Sequence, residues 1–339
     1  MKKWILVLFL VTAFACGWGG FLIGKSGSGQ IQKNYLIKAI RSSQNGLTNP
    51  LLEYEISSTF YQKTLKLFKE NIQKIVDQKI QNKEVDEIAV YFRGLNNGPW
   101  FGIKEDENFF PASLLKVPLL IAYLKWQEEN PEILKNEVKY EESYFKLLGN
   151  FNNFQYFKSE NPIEVGKTYT VQELIEKMVI DSDNNAKNLL ILNLDSPERL
   201  FKVYTDLGLA SPPELRGEGD ILSVHEYATF FRILYNASYL SKENSQKALE
   251  LLTKTKFNQG LVAKLPQDIK IAHKFGEHQD QEQNFKQLHD CGIIYYPSYP
   301  YLLCVMTRGQ GFENLEKVIQ EISLEVYNEL NSQIKNIQD

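Results

Sequence analysis

The sequence predicts an α+β sandwich: a five-stranded antiparallel sheet flanked by terminal helices, with an inserted all-helical lobe. Three observations predict it. Short apolar runs with strand character fall into two groups, a pair early in the chain and a trio near its end. The long stretch between them repeats its apolar residues at helical intervals. Amphipathic helical runs precede the first group and follow the last.

Each element has a local reason. Over residues 51–82, Leu65, Phe68, Ile72, Ile75 and Ile80 recur at helical spacing with charges between them, as in a helix lying on a sheet. "EIAVYFRGL" and "GPWFGIKED" are strands joined around "NNGP". "FPASLLKVPLL" starts a buried helix that Pro118 can kink or end. The helical middle is interrupted by "LGNFNNFQYF", and Thr170 with Glu173 has capping-box spacing before an apolar-periodic run through Met178. "SPPELRGEGD" is loop and "LSVHEYATFFRILYN" an amphipathic helix. "DIKIAHKFGEH", "LHDCGIIYYP" and "YLLCVMTRG" are three adjacent strands, and "FENLEKVIQEISLEVYNEL" is the closing helix. The body therefore covers residues 51–334, with a sheet lobe over 51–110 and 262–334 and a helical lobe over 111–261.

With 339 residues, 43% of them hydrophobic, the chain has ample material for a core. Its net charge of −4 comes from interspersed acids and bases, which excludes a broad nucleic-acid surface. Lys2 and Lys3 precede an apolar run from Trp4 to Ile23 that is long enough to span a bilayer. Residues 1–24 are therefore expected to be an uncleaved, single-pass membrane anchor, with a cleaved export signal or lipidation at Cys16 as alternatives. Residues 25–50, with "KSGSGQ" and "RSSQNGLTNP", read as a flexible linker. All three readings put the body outside the cytoplasmic membrane. Cys291 and Cys304 fall opposite or nearly opposite each other if their strands form a hairpin around "PSYP"; two buried free thiols are favoured over a bridge, because direct bridging demands particular geometry. The scattered histidines and cysteines form no metal-ligand pattern, and no cofactor is implied.

Chemistry enters through three short motifs. Ser113 and Lys116 in "SLLK" share one helix face; a serine hydroxyl is a weak nucleophile unless a neighbour removes its proton, and a lysine can do so only when neutral. In "DSDNN", Ser182 can relay a proton and Asn184 can bind an amide, although Ser, Asp and Asn also serve as ordinary helix caps. In "AHKFGEH", Lys274 can attract a carboxylate, and Gly276 permits close backbone approach of a substrate to the strand. Strand alternation turns His273 to the opposite face, as a structural residue.

Taken together, "SLLK", "SDN" and "KFG" resemble the S-x-x-K, S-D-N and K-[ST]-G signature of class A β-lactamases and penicillin-binding transpeptidases, across roughly residues 52–330. The resemblance implies the β-lactamase/transpeptidase-like fold, Ser113 as the acyl-forming nucleophile, Lys116 as its base, and Ser182 as the donor to the leaving nitrogen. It further implies Asn184 and Lys274 as substrate ligands, and the backbone N–H groups of Ser113 and Glu277 as the oxyanion hole. Two departures stand out. Phe275 replaces the hydroxyl residue of the third motif, and no E-x-x-x-N element lies between Ser182 and Ser223, where "SPPELRGEGD" offers only Glu214 and Glu218. The expected function is β-lactamase-type hydrolysis of a cyclic or peptide amide. A penicillin-binding D,D-peptidase or esterase acting on peptidoglycan-like substrates is the alternative, and a catalytically weak cell-wall-binding protein is the non-enzyme rival.

Overall fold

A computed structural model describes residues 59–96, 98–148, 155–209, 219–280 and 285–338. The predicted anchor (1–24) and linker (25–50) lie outside these. Among the described residues no helix is long and apolar enough to cross a membrane.

The main sheet comprises β1 (Glu87–Gly94), β2 (Trp100–Ile103) and three strands near the chain end that are numbered after the lobe elements below. The lobe begins with the short strand β3 (Asn108–Phe109) and a 3-10 turn, Ala112–Leu115, that runs directly into α2 (Lys116–Glu129). It continues through β4 (Glu137–Lys139), α3 (Glu142–Leu148), β5 (Thr168–Thr170), α4 (Val171–Ile180), α5 (Asn184–Leu192) and α6 (Glu198–Asp206). It ends with β6 (Leu222–Ser223), α7 (Val224–Asn236) and α8 (Lys242–Leu252). The sheet is completed by β7 (Ile271–Asp280), β8 (Phe285–Ile294) and β9 (Tyr301–Gly309) in the order β2-β1-β9-β8-β7, every neighbouring pair antiparallel. The terminal helices are α1 (Thr59–Gln81) and α9 (Phe312–Gln338). The lobe also carries two short ladders, β3 with β6 and β4 with β5, which a purely helical reading leaves out.

Both faces of the sheet are covered, so its strands read as continuous apolar runs. On β9, Leu302, Cys304 and Met306 enter the core shared with the helical lobe, whereas Tyr301, Leu303 and Val305 enter the core under the terminal helices. That is the period-2 alternation of a strand with two apolar destinations. On the second face α1 contributes Phe68, Ile72 and Val76 at four-residue spacing, and α9 contributes Leu315, Ile319, Ile322 and Val326.

In the lobe α2 is apolar on every side and buried from Lys116 to Leu124, the mark of a central helix. Pro118 sits in its first turn, where a missing N–H removes no intrahelical bond, and the helix runs on to Glu129. Thr170 and Glu173 form the capping box their spacing predicts, and Ser223 with Glu226 forms a second one. Cys291 and Cys304 are directly opposite in the β8–β9 register and are joined as a disulfide. This corrects the expectation of free thiols: register places the two Cβ atoms of a facing pair close together, which sequence spacing alone does not specify.

Candidate active site

The turn that presents Ser113 is fixed from three sides. Ala112 has φ of 48°, a left-handed conformation uncommon for a residue with a side chain, and it aims the next residue out of the helix line. Leu114 N–H donates to Pro111 O at 3.0 Å, while Ser113 N–H and Oγ have no hydrogen-bond partner among the described residues. Before the turn, Phe110 is held by β8: its N–H donates to Gln287 Oε1 at 2.9 Å, and its carbonyl lies 3.0 Å from His289 Nε2. Thr307 N–H donates to His289 Nδ1, so Nε2 carries the proton and donates to Phe110. Burial pushes His289 down to about 3, which keeps the imidazole neutral.

Beyond the turn, β7 packs against it at Gly276. A Cβ there would lie 3.0 Å from Leu114 Cγ, 3.1 Å from Pro111 O and 3.3 Å from Leu114 N. The glycine thus admits the serine turn to the strand. A close approach between two segments of one chain leaves no local signal that distinguishes it from space for a ligand.

The second motif converges on Ser182. The chain leaves α4 through this residue with φ of 54°, a position where helices usually place glycine. Its carbonyl accepts from Lys116 Nζ at 2.5 Å and from Gln155 Nε2 at 3.0 Å. Its Oγ lies 3.0 Å from Lys116 Nζ and 3.0 Å from Lys274 Nζ. Asp183 caps α5, its Oδ1 accepting from Asn185 N–H and Ala186 N–H, while Oδ2 accepts from Ile163 N–H at 2.7 Å. The capping and functional readings of "DSDNN" therefore apply to different residues of it: Asp183 caps, Ser182 meets the two lysines, and Asn184 lines the cleft.

Lys116 and Lys274 are both fully buried, and neither forms an ion pair among the described residues. Burial holds the Lys116 amine well below the ordinary lysine range, and the neighbouring positive charges of Lys274 and Lys187 push in the same direction. Burial likewise lowers Lys274, to about 7. A lysine whose pKa falls below the ordinary range is a usable base, and two such lysines flank one hydroxyl.

Ser113, Asn184, Lys187, Gln155, Tyr156 and Glu277 line a cleft of about 770 Å³. Glu277 points both carboxylate oxygens at Phe157 N–H, each at 3.2 Å, and burial raises its carboxyl to about 7. Phe275 is 3% exposed and stacks on Phe257 at 4.1 Å between ring centroids, with Phe157 edge-on at 5.6 Å. The residue that replaces the third motif's hydroxyl is therefore a packed core ring. His273 bonds Asp290 Oδ1 at 2.9 Å in a buried pair, and Asp290 Oδ2 accepts Leu261 N–H. Glu214 and Glu218 lie outside the described residues.

Sequence reading missed Gln155, Gln287 and His289 as parts of this site, and for Glu277 it left open a side chain that repels a substrate carboxylate or one that points away. Gln287 and His289 carried a usable signal, since they are polar residues at alternate positions leading into an apolar strand end and, once buried, must find partners inside. Gln155 carried none, because it reaches Ser182 from a loop distant in sequence.

The structure holds a cleft-facing serine with an unoccupied N–H, a buried amine three residues on, and a second hydroxyl between two amines, with no hydrogen bond from Ser113 Oγ to either amine among the described residues. This set suits acyl transfer through a serine ester. The β-lactamase enzyme family matches residues 67–330. Among solved structures, the TLA-1 extended-spectrum β-lactamase superposes with a TM-score of 0.65 at 18% identity, covering 77% of this chain and 98% of that one. A β-lactamase from Chitinophaga pinensis DSM 2588 gives 0.64 at 20% identity, covering 76% and 98%. A PBP-A variant solved as an acyl-enzyme complex with penicillin G gives 0.63 at 22% identity, covering 79% and 97%. At these identities the structures establish the fold, and the family match over most of the chain establishes kinship: the chain belongs to the β-lactamase enzyme family, a family of serine hydrolases.

Proposed function

We propose that this protein forms a covalent acyl-enzyme at Ser113 and carries out β-lactamase-type hydrolysis of a cyclic or peptide amide. One observation carries the reading: Ser182 Oγ stands 3.0 Å from both Lys116 Nζ and Lys274 Nζ, with both amines buried. Ser113 Oγ attacks the carbonyl carbon while its proton passes to the neutral Lys116 amine. The oxyanion forms between Ser113 N–H and Glu277 N–H. As the C–N bond breaks, Ser182 Oγ–H protonates the leaving nitrogen and takes a proton back from Lys116. Water then attacks the ester, releasing the acid and restoring the serine. The penicillin acyl-enzyme of the PBP-A relative supports this chemistry for the fold.

A second reading, a penicillin-binding D,D-peptidase or esterase on cell-wall substrates, is favoured by the missing E-x-x-x-N element, since an acyl-enzyme without that base deacylates slowly. Incubation with a fluorescent penicillin and with a small activated ester, followed by intact-protein mass measurement, separates the two. Rapid turnover supports hydrolysis, and a persistent adduct supports the penicillin-binding reading. Ser113→Ala is expected to lower acylation by at least ~10³-fold with the fold retained. Labelling that persists in this variant defeats the assignment.

The lysines and apolar run at the N-terminus support placement of the domain outside the cytoplasmic membrane. Protease digestion of the full chain in intact spheroplasts tests this, because an interior domain would be protected.

A further inference from the structure

We propose that the site, if it acylates as described above, selects substrates that carry no carboxylate beside the scissile bond, and that Glu277 is the residue that sets this preference. The first support is that Lys274 is fully occupied by the protein. Its Nζ donates to Ser182 Oγ at 3.0 Å and to Phe275 O at 3.1 Å, and stands 4.1 Å from the Phe275 ring centroid. At pH 8 this amine has mostly given up its third proton, and its two N–H groups are both used in these bonds, with the Phe275 ring beside them. With no exposed surface, Lys274 offers an incoming carboxylate nothing unless one of these contacts breaks.

The second support is that the next side chain cannot help. Phe275 has no donor, and its ring is wedged between Phe257 and Phe157 in the core under the sheet. The third is that Glu277, one residue past Gly276, puts a carboxylate on the wall of the cleft that Ser113 lines. Phe157 N–H holds both its oxygens at 3.2 Å, so the group is fixed rather than free to swing away. Burial raises its carboxyl to about 7, and at pH 8 the group is ionised. A second carboxylate brought beside it meets like charge in a partly desolvated place, where repulsion is strong. The lysine that does line the cleft wall among the described residues is Lys187, one turn beyond Asn184 on α5.

The test compares two thioesters of one acyl group at pH 8, with thioglycolate or its methyl ester as the leaving thiol, each kcat/KM divided by the rate constant for hydroxide hydrolysis of the same thioester so that the unequal leaving ability of the two thiols is removed. With the full chain, this normalised kcat/KM is expected to favour the methyl ester by tenfold or more. Glu277→Gln, which keeps an acceptor for Phe157 N–H, is expected to narrow that ratio at least threefold; because only the ratio is read, any change in overall rate cancels. A preference of the unmodified protein for the carboxylate form, whichever lysine supplies it, overturns the proposal, as does a methyl-ester preference short of tenfold. A Glu277→Gln ratio changed less than threefold removes Glu277 from the proposal. Failure of both thioesters to acylate Ser113 overturns the acyl-enzyme reading itself, and this proposal with it.

Discussion

Two buried polar clusters sit back to back on β7, and they are built on opposite principles. His273 and Asp290 form a pair of complementary groups, closed off by Leu261 N–H, with every strong demand met inside the protein. On the other side, Lys116 and Lys274 crowd two buried amines onto Ser182, with no carboxylate in ion-pair contact among the described residues. A cluster kept for stability satisfies its charges. A cluster kept for chemistry holds a group in a protonation state that water would not favour, and the rest of the fold must offset the cost.

The largest expected effect comes from relieving the strained cluster. Lys116→Met should lower acylation at least ~10³-fold and also raise stability at neutral pH by about 1–3 kcal/mol. The sign follows from linkage. Burial lowers the folded-state pKa of Lys116 below its unfolded value, so the unfolded chain binds more protons between the two, and the native protein gains stability as pH rises through that window. The variant should lose this portion of the pH dependence, which denaturant titrations across pH 6–10 measure. A less stable variant with unchanged pH dependence would mean that Lys116 is no more strained than a surface lysine.

The satisfied cluster should respond in reverse. Asp290→Asn leaves His273 and Leu261 N–H poorly paired in the core and should cost about 2–4 kcal/mol, read as a lower denaturation midpoint. The pH at which acylation rises should move little, because Asp290 acts on Lys274 and reaches Lys116 only through it, whereas burial sets Lys116 first. A large shift of that pH would show that the two faces of β7 are coupled.

The smallest effect sharpens the picture within the active cluster. Lys274→Met removes the nearest positive charge acting on Lys116, so the Lys116 pKa should rise towards its ordinary value and the ascending limb of acylation should move to higher pH. A pH–rate profile of ester acylation detects this. A limb that stays put or moves down would assign the base to another group.

Much of this molecule was legible in the chain. Strand grouping gave the sheet and its terminal helices, and capping-box spacing marked the start of α4, because these signals depend on residues close in sequence. The three motifs named Ser113, Lys116, Ser182, Asn184 and Lys274, since each carries a residue type that its proposed chemistry requires. Tertiary structure alone decided what those residues touch. It packed Phe275 into an aromatic core, set Gly276 against the serine turn, bridged Cys291 to Cys304 and turned Glu277 into the cleft. Local sequence fixes periodicity and chemistry, whereas burial and the partners of a charge come from segments far apart in the chain, and it is burial that makes an ordinary lysine into a base.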